Sequence, residues 1–489
     1  DPNLSPNSPG VPAMSEVRNV DICVIGAGSG GLSVAAGAVQ MGASVALFER
    51  GKMGGDCLNY GCVPSKALLA AGHAAAHYGH TAQFGIGGGS SDVDFAAVHD
   101  HVHGVIAGIA PHDSVERFVD LGVEVYQEGA RFAGPREVIG ENGTRVRARR
   151  FVIATGSSPA VPPIPGLKDV PFLTNETIFD QRELPAHLIV VGGGPIGLEM
   201  AQAHRQLGAK VTVLEAMKIM GPDDRDLVAV VRARLEGEGI AIHEGAKVVS
   251  VKAADGGISV ACEEDGRTFE VTGSHILVAA GRAPNLSSLD LNAAGITHDR
   301  RGIEVDARLR TTNKRVFAVG DVAGKYQFTH IAGYHAGIVI RNALFRLPAK
   351  INYDAVPWVT YTDPELANVG MTEAAAREAY GDDVQVVSAS FDENDRARTE
   401  RRTDGFLKVV VGRKGRVLGA GMVGAHAGEM IQPWILAISQ KMKIGAVAQM
   451  IAPYPTRGEI NKRAAGAYYT PSLFSERTKK VVRLLAKFG

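Results

Sequence analysis

Three observations predict an α/β chain with two similar doubly wound units, closed by a C-terminal α+β domain. A strand, a glycine-rich turn, a helix and a second strand run from Val20 to Glu49 as VDICVIG, AGSGGLSVAAGAVQMG and ASVALFE. The same unit returns from His187 to Glu215, and a constant offset of 166 residues carries Gly26, Gly28, Gly31, Gly42 and Glu49 onto Gly192, Gly194, Gly197, Gly208 and Glu215. From about Tyr353 the texture changes to strand-like runs, FLKVVV and RVLGAGMVG, followed by helical segments from Glu429 to Met450, the pattern of an α+β domain.

In each repeat a G-x-G-x-x-G fingerprint sits between a strand and a helix, with an acid closing the second strand. That is a Rossmann-like dinucleotide-binding unit: the glycines let backbone approach a pyrophosphate, the helix N-terminus receives it, and Glu49 or Glu215 accepts ribose hydroxyls. A lone fingerprint is weak evidence, but an internal repeat with its full context is hard to obtain by chance. Two such units on one chain call for two dinucleotides.

The third signal is a pair of sulfurs. Of four cysteines in 489 residues, Cys57 and Cys62 lie in GGDCLNYGCVPSK, just after the first unit. Pro64 disfavours helix at Val63 but suits the opening turn of a helix running on through Lys66 to Ala70. Cys62 then lies beside unpaired helix N–H groups, which stabilise a thiolate. A redox-cycling disulfide beside a flavin explains this arrangement, so one unit is expected to hold a flavin dinucleotide and the other a nicotinamide. A structural staple or two buried free thiols are the competing readings, and a cysteine-poor chain has little use for a single staple closing so short a loop.

Composition narrows the class. Lysine plus arginine, 52, equals aspartate plus glutamate, 52, so no long-range field favours nucleic acid or a membrane surface, and neither partner is expected. The 59 glycines suit turns and close backbone approach. With no secretory signal and no membrane-spanning run, a soluble, cytoplasmic protein in a reducing compartment is expected.

Residues 1–17 are rich in Pro, Asn and Ser and read as a disordered tail, with Met14 as the natural start and the residues before it a cloning remnant. Ala67 to Val119 reads as largely helical, broken by the Gly/Ser run Gly85–Ser91 and near Pro111. It holds seven of the fifteen histidines: His73, His77, His80, His99, His101, His103 and His112. His73, His77 and His80 share one helical face, but no acid or cysteine accompanies them, so a polar face is favoured over a metal site and no metal is expected. Val146–Gly156 is a strand ending in Ala154-Thr155-Gly156, and the Pro-rich SSPAVPPIPG links into the second repeat. His275–Gly281 is a further buried strand, followed by Arg282-Ala283-Pro284-Asn285. Asp321, in FAVGDVAG, closes an apolar strand where α/β folds bind ligands. Ser472–Gly489 is basic and amphipathic, and a docked or frayed terminal helix is favoured there over a membrane-surface one.

With these motifs in view, the chain resembles the class I pyridine nucleotide-disulfide oxidoreductases, the flavoprotein family of dihydrolipoamide dehydrogenase, glutathione reductase and mercuric reductase. The likeness runs from Val20 to about Tyr469 through GGDCLNYGCVPSK, both fingerprints, the Ala154–Gly156 turn, FAVGDVAG and YTDPELANVG. It implies an FAD-binding domain in two segments, 18–160 and 283–350, around an NAD-binding domain, 161–282, and then a C-terminal interface and dimerisation domain, 351–489. It implies a homodimer with the active site shared across the interface. Cys57 corresponds to the interchange thiol that meets the substrate and Cys62 to the charge-transfer thiol against the flavin, with Lys66 paired to Glu199. Gly26, Gly28, Gly31, Glu49, Thr155, Gly156 and Asp321 are implied for FAD, and Gly192, Gly194, Gly197, Glu215 and Gly281 for the nicotinamide cofactor. Glu215 repels a 2′-phosphate, which favours NADH over NADPH, against the nearby Lys218 and Arg225.

One departure stands out. Where dihydrolipoamide dehydrogenase and glutathione reductase carry His-Pro-Thr and a following Glu, this chain has Tyr454-Pro455-Thr456 and Glu459. These implied catalytic residues face the partner's Cys57 in the homodimer, and a tyrosine, with a pKa near ~10 against ~6.5 for histidine, is a poor base for a dithiol at neutral pH. Mercuric reductases also carry a tyrosine there, and a soft metal ion needs no proton taken from a thiol. Those enzymes also carry a C-terminal cysteine pair, whereas no cysteine follows Cys262 here. The expected function is an FAD-dependent, NADH-linked reductase of a small-molecule disulfide or other thiol-reactive acceptor. His330 or Tyr454 is the expected proton source. A metal-ion reductase is the alternative, and a non-catalytic redox sensor or complex subunit is a reading of another class.

Overall fold

The structure is a computed structural model describing residues 17–89 and 92–488. The expected N-terminal tail falls outside the described residues apart from Val17, as do Ser90 and Ser91 of the glycine- and serine-rich run. The described chain divides into two compact units. One takes the residues up to Val63, Val105–Ser158 and Arg282–Ile351; the other takes Pro64–Gly104, Pro159–Gly281 and the chain from Asn352 on.

The first unit is built on a seven-stranded sheet. Its strands are β1 (Arg18–Ile25), β2 (Val45–Phe48), β3 (Glu124–Tyr126), β4 (Ala130–Gly134), β5 (Glu137–Gly140) and β6 (Arg145–Ile153), with Val316–Ala318 also pairing β6. The order is β3-β2-β1-β6-β5-β4, parallel from β3 through β6 and antiparallel beyond it. Alternate β1 residues point to opposite faces, so Ile22 and Val24 join one buried cluster while Cys23 and Ile25 join the other. Both faces are covered, and this is why the strands read as continuous apolar runs. The helix α1 (Ser29–Gln40) follows β1, and the short α2 (Gly55–Asn59) and the longer α3 (Cys62–Gly79) follow β2.

The second unit repeats the motif at smaller scale. His187–Val191, Lys210–Glu215, Ala241–Glu244 and His275–Val278 form a four-stranded parallel sheet. A three-stranded antiparallel sheet spans Lys247–Gly273. The C-terminal part is a five-stranded antiparallel sheet, and Trp434, Ile460 and Ala464 pack in the core on it. This is the expected mixed α/β architecture with an α+β segment at its end.

One local expectation fails. Val63 is helical, because α3 starts at Cys62 rather than after Pro64. In the first turn the missing Pro64 N–H costs no intrahelical hydrogen bond, and the steric bias against helix at Val63 is outweighed by the long helix that follows.

Candidate active site

The two glycine-rich turns match to the level of single hydrogen bonds. Gly26 has φ +105°, and an added Cβ would lie 2.4 Å from the Ala154 carbonyl oxygen; Gly192 has φ +116°, and its Cβ would lie 2.4 Å from that of Ala279. A Cβ on Gly31 would lie 1.8 Å from the Gly26 oxygen, and one on Gly197 would lie 2.0 Å from the Gly192 oxygen. The first glycine thus permits the turn and the third permits helix to pack on strand. Gly28 and Gly194 are the extended N-cap residues of α1 and of the helix Pro195–Gln206. A Cβ on Gly28 would come no nearer than 4.0 Å to any other atom, and one on Gly194 would meet nothing within 4 Å. That open side of a bare helix N-terminus suits a dinucleotide pyrophosphate.

The acids do more than the sequence suggests. The Glu49 carboxylate accepts from the Ala27 amide at 2.6 Å and the Gly51 amide at 2.7 Å. Glu215 accepts from Gly193 at 2.7 Å and Met217 at 2.8 Å. Each acid therefore braces its own glycine turn.

The sulfur loop is fastened to the first turn. The Gly54 amide donates to the Ala27 carbonyl at 3.0 Å. Gly55, at φ +60°, approaches so closely that a Cβ would lie 2.7 Å from the Gly28 Cα. Cys57 then sits mid-way along α2 and Cys62 begins α3. Both are thiols, Cys57 part-buried and Cys62 exposed, while Cys23 and Cys262 are core residues whose thiols burial pushes up, that of Cys262 to about 11. The Thr329 hydroxyl, on the first residue of the helix Thr329–Ala343, lies 3.3 Å from the Cys62 sulfur. The Cys57 thiol is pushed well up, first by its hydrogen bond with Cys62 and then by burial, and the Thr329 hydroxyl pulls it down.

A polar network missing from the sequence reading surrounds this loop. Asp321 accepts from the Ser157 hydroxyl at 2.5 Å, and burial raises its carboxyl above the usual range. Arg282 donates to the Ser157 hydroxyl at 2.8 Å and carbonyl at 2.7 Å, and pairs with Asp56 at 3.0 Å. Asn285 clamps the Ala154–Gly156 turn: its side chain donates to the Thr155 carbonyl at 2.9 Å, its own carbonyl accepts from the Thr155 hydroxyl at 2.8 Å, and its amide donates to the Gly156 carbonyl at 3.0 Å. Gly156, at φ +64°, makes that turn possible.

In the second unit Lys66 donates to Glu199 at 2.7 Å. The Glu199 carboxylate is buried and also accepts from the Tyr361 amide at 3.0 Å. The Lys66 ammonium stands 4.3 Å from the centre of the Tyr361 ring. Gly281, at φ +129°, follows the strand His275–Val278 and accepts from the Ala160 amide at 2.9 Å. Tyr454 is exposed and donates to Asp395 at 3.0 Å, which raises its pKa above that of an ordinary tyrosine. Glu459 opens the helix Glu459–Ala467.

Comparison with known proteins agrees with this arrangement. Residues 20–336 match the family described as pyridine nucleotide-disulphide oxidoreductase, and residues 356–465 match its dimerisation domain. The chain is 35% identical to a mercuric reductase of Bacillus cereus, over 91% of this chain and 70% of the relative. It is 35% identical to a dihydrolipoyl dehydrogenase of Geobacillus stearothermophilus, over 90% and 94%. Among solved structures it superposes on the Cu(II) complex of the HOCl-induced flavoprotein disulfide reductase RclA from Escherichia coli with a TM-score of 0.82, at 29% identity, covering 91% of this chain and 99% of that one. It also superposes on LpdA from Mycobacterium tuberculosis with a TM-score of 0.83, at 26% identity, covering 92% and 99%. With both dinucleotide turns, the sulfur pair and a dimerisation domain in one chain, this protein belongs to the pyridine nucleotide-disulphide oxidoreductase family, whose members are homodimeric flavoproteins using FAD and a pyridine nucleotide.

Proposed function

We propose that the protein is an NADH-dependent reductase of a small-molecule disulfide or a similar thiol-reactive acceptor. The observation that carries this reading is the Cys57–Cys62 pair, fastened to the first dinucleotide turn and sharing one hydroxyl, that of Thr329. FAD held on the Gly26–Gly31 turn supplies two-electron transfer between the nicotinamide and the sulfur pair. In the acceptor half-reaction, Cys57 gives up its proton and its thiolate attacks one sulfur of the acceptor, forming a mixed disulfide and releasing one thiolate, which takes up that proton and leaves as a thiol. Cys62 then attacks the Cys57 sulfur, releasing the second thiolate and leaving a Cys57–Cys62 disulfide, so two electrons have passed to the acceptor. Lys66, partly exposed, and the buried Glu199, paired on the nucleotide side, hold charge steady where the nicotinamide is read.

The preference for NADH rests on what the local cations already do. Lys218 is paired with Glu244 at 3.0 Å, and Arg225 donates to the backbone carbonyls of Ile219, at 3.0 Å, Met220 and Asp223. Both cations are therefore engaged beside Glu215, whose charge repels a 2′-phosphate. Tyr454, with its raised pKa and its proton on Asp395, suits hydrogen-bond donation and not proton abstraction. In a shared dimer site it would steady a leaving thiolate.

The test is Cys57→Ser. NADH should still reduce the bound flavin in this variant while disulfide turnover disappears; unchanged turnover would remove Cys57 from the route. Tyr454 also favours a second reading, reduction of a soft metal ion bound directly by the thiolates, because that needs no base at this position. Metal-dependent NADH oxidation in the absence of any disulfide separates the two readings.

A further inference from the structure

The C-terminal core closes at Tyr469, yet the chain continues into an ordered helix, Glu476–Leu485, in which no residue is buried. The helix is built to stand alone: Ser475 caps it, accepting from the Thr478 amide at 3.2 Å, and Lys479 pairs with Glu476 at 2.8 Å. At 100° per residue, Val481, Leu484 and Leu485 share one face of this helix, and all three are exposed, as is Phe488 just past its end, to 82%. Lys479 and Arg483 lie opposite that face and Lys480 flanks it. With Arg477 and Lys487 the segment carries five cations against the single acid Glu476, and the equal totals of the whole chain leave the rest of it net acidic.

We propose that this helix docks the enzyme on an anionic phospholipid surface, lying in the plane of the membrane with its apolar face among the acyl chains. A helix with low overall hydrophobicity, a basic face and an opposed Leu/Phe face has the composition of an interfacial element, and its cations complement acidic headgroups. Ten residues rise only about 15 Å, so the helix lies on the bilayer and does not cross it, and among the described residues no helix is long and apolar enough to cross. A second copy is the weaker occupant, since the matched dimerisation domain ends at residue 465, before this helix, and one three-turn apolar face by itself covers well under the ~800 Å² per partner of a specific protein interface. The expectation of no membrane partner came from net charge, which averages away a charge concentrated in one terminal helix.

The experiment is vesicle sedimentation of the full-length holoenzyme. Co-sedimentation with phosphatidylglycerol-containing vesicles, and not with phosphatidylcholine vesicles, is expected at moderate salt. Leu485→Glu with Phe488→Glu should cut the bound fraction at least about tenfold, and Lys480→Gln with Arg483→Gln should cut it too, both leaving NADH oxidation unchanged. No sedimentation with anionic vesicles overturns the proposal, and so does binding that survives the Leu485/Phe488 change. A fall in oligomer mass in either variant, by light scattering, also overturns it and assigns the face to contact between copies.

Discussion

The amide of Gly54 donates to the carbonyl of Ala27 at 3.0 Å, and this one bond joins the loop that carries Cys57 to the first glycine-rich turn. The start of the helix that carries Cys57 is therefore tied directly to the fingerprint backbone.

Gly55→Ala tests that coupling. The added Cβ would lie 2.7 Å from the Gly28 Cα at a φ of +60°, where strain of ~1–3 kcal/mol is expected. Flavin retained through gel filtration should fall well below the parent level, read as the ratio of visible to ultraviolet absorbance.

Thr329→Val removes the hydroxyl from both sulfurs at nearly constant volume. That hydroxyl pulls the Cys57 pKa down against Cys62 and burial, so its loss pushes the thiol further up and moves the pH–rate profile of disulfide turnover to higher pH. Turnover at pH 7 should drop by about tenfold, roughly one pKa unit, and Thr329→Ser should restore it.

Lys66→Met leaves the buried Glu199 carboxylate with the Tyr361 amide and no cation. Because the lysine is partly exposed, a loss of ~1–3 kcal/mol is expected, at the low end for a broken buried pair. Thermal melting should show it, and stopped-flow flavin reduction by NADH should slow. Glu199→Gln, which keeps a side-chain oxygen for the Tyr361 amide, should melt closer to the parent.

His335 predicts acid sensitivity. It is buried, its Nδ1 accepts from the Gly320 amide at 3.1 Å, and burial holds its pKa down at about 4. The unfolded chain binds this proton first, near pH 6.5, so the stabilisation from the neutral ring is fully present above that and is lost as pH falls toward 4. The loss is on the order of 2–3 kcal/mol. Melting temperature followed across that window should fall more steeply in the parent than in His335→Gln.

Both dinucleotide turns and the sulfur pair were legible in the sequence because each is local. Gly26, Gly28 and Gly31 are spaced by the geometry of a strand–turn–helix, and Cys57 and Cys62 are five residues apart. The partners that tune them are not local. Thr329 meets Cys62 across 267 positions, Tyr361 meets Glu199 across 162, and Arg282 reaches back to Asp56. A sheet brings such residues together, and no periodicity marks them beforehand. The second use of Glu49 and Glu215, bracing their own loops through Ala27 and Gly193, was hidden for another reason: the ribose reading already explained the acid.

The most direct measurement is an anaerobic titration of the purified protein with NADH, followed in the visible spectrum. A long-wavelength band on two-electron reduction is predicted, the signature of a Cys62 thiolate stacked on the flavin. Direct bleaching of the flavin without that band would contradict the account, because the sulfur pair would then be uncoupled from the flavin.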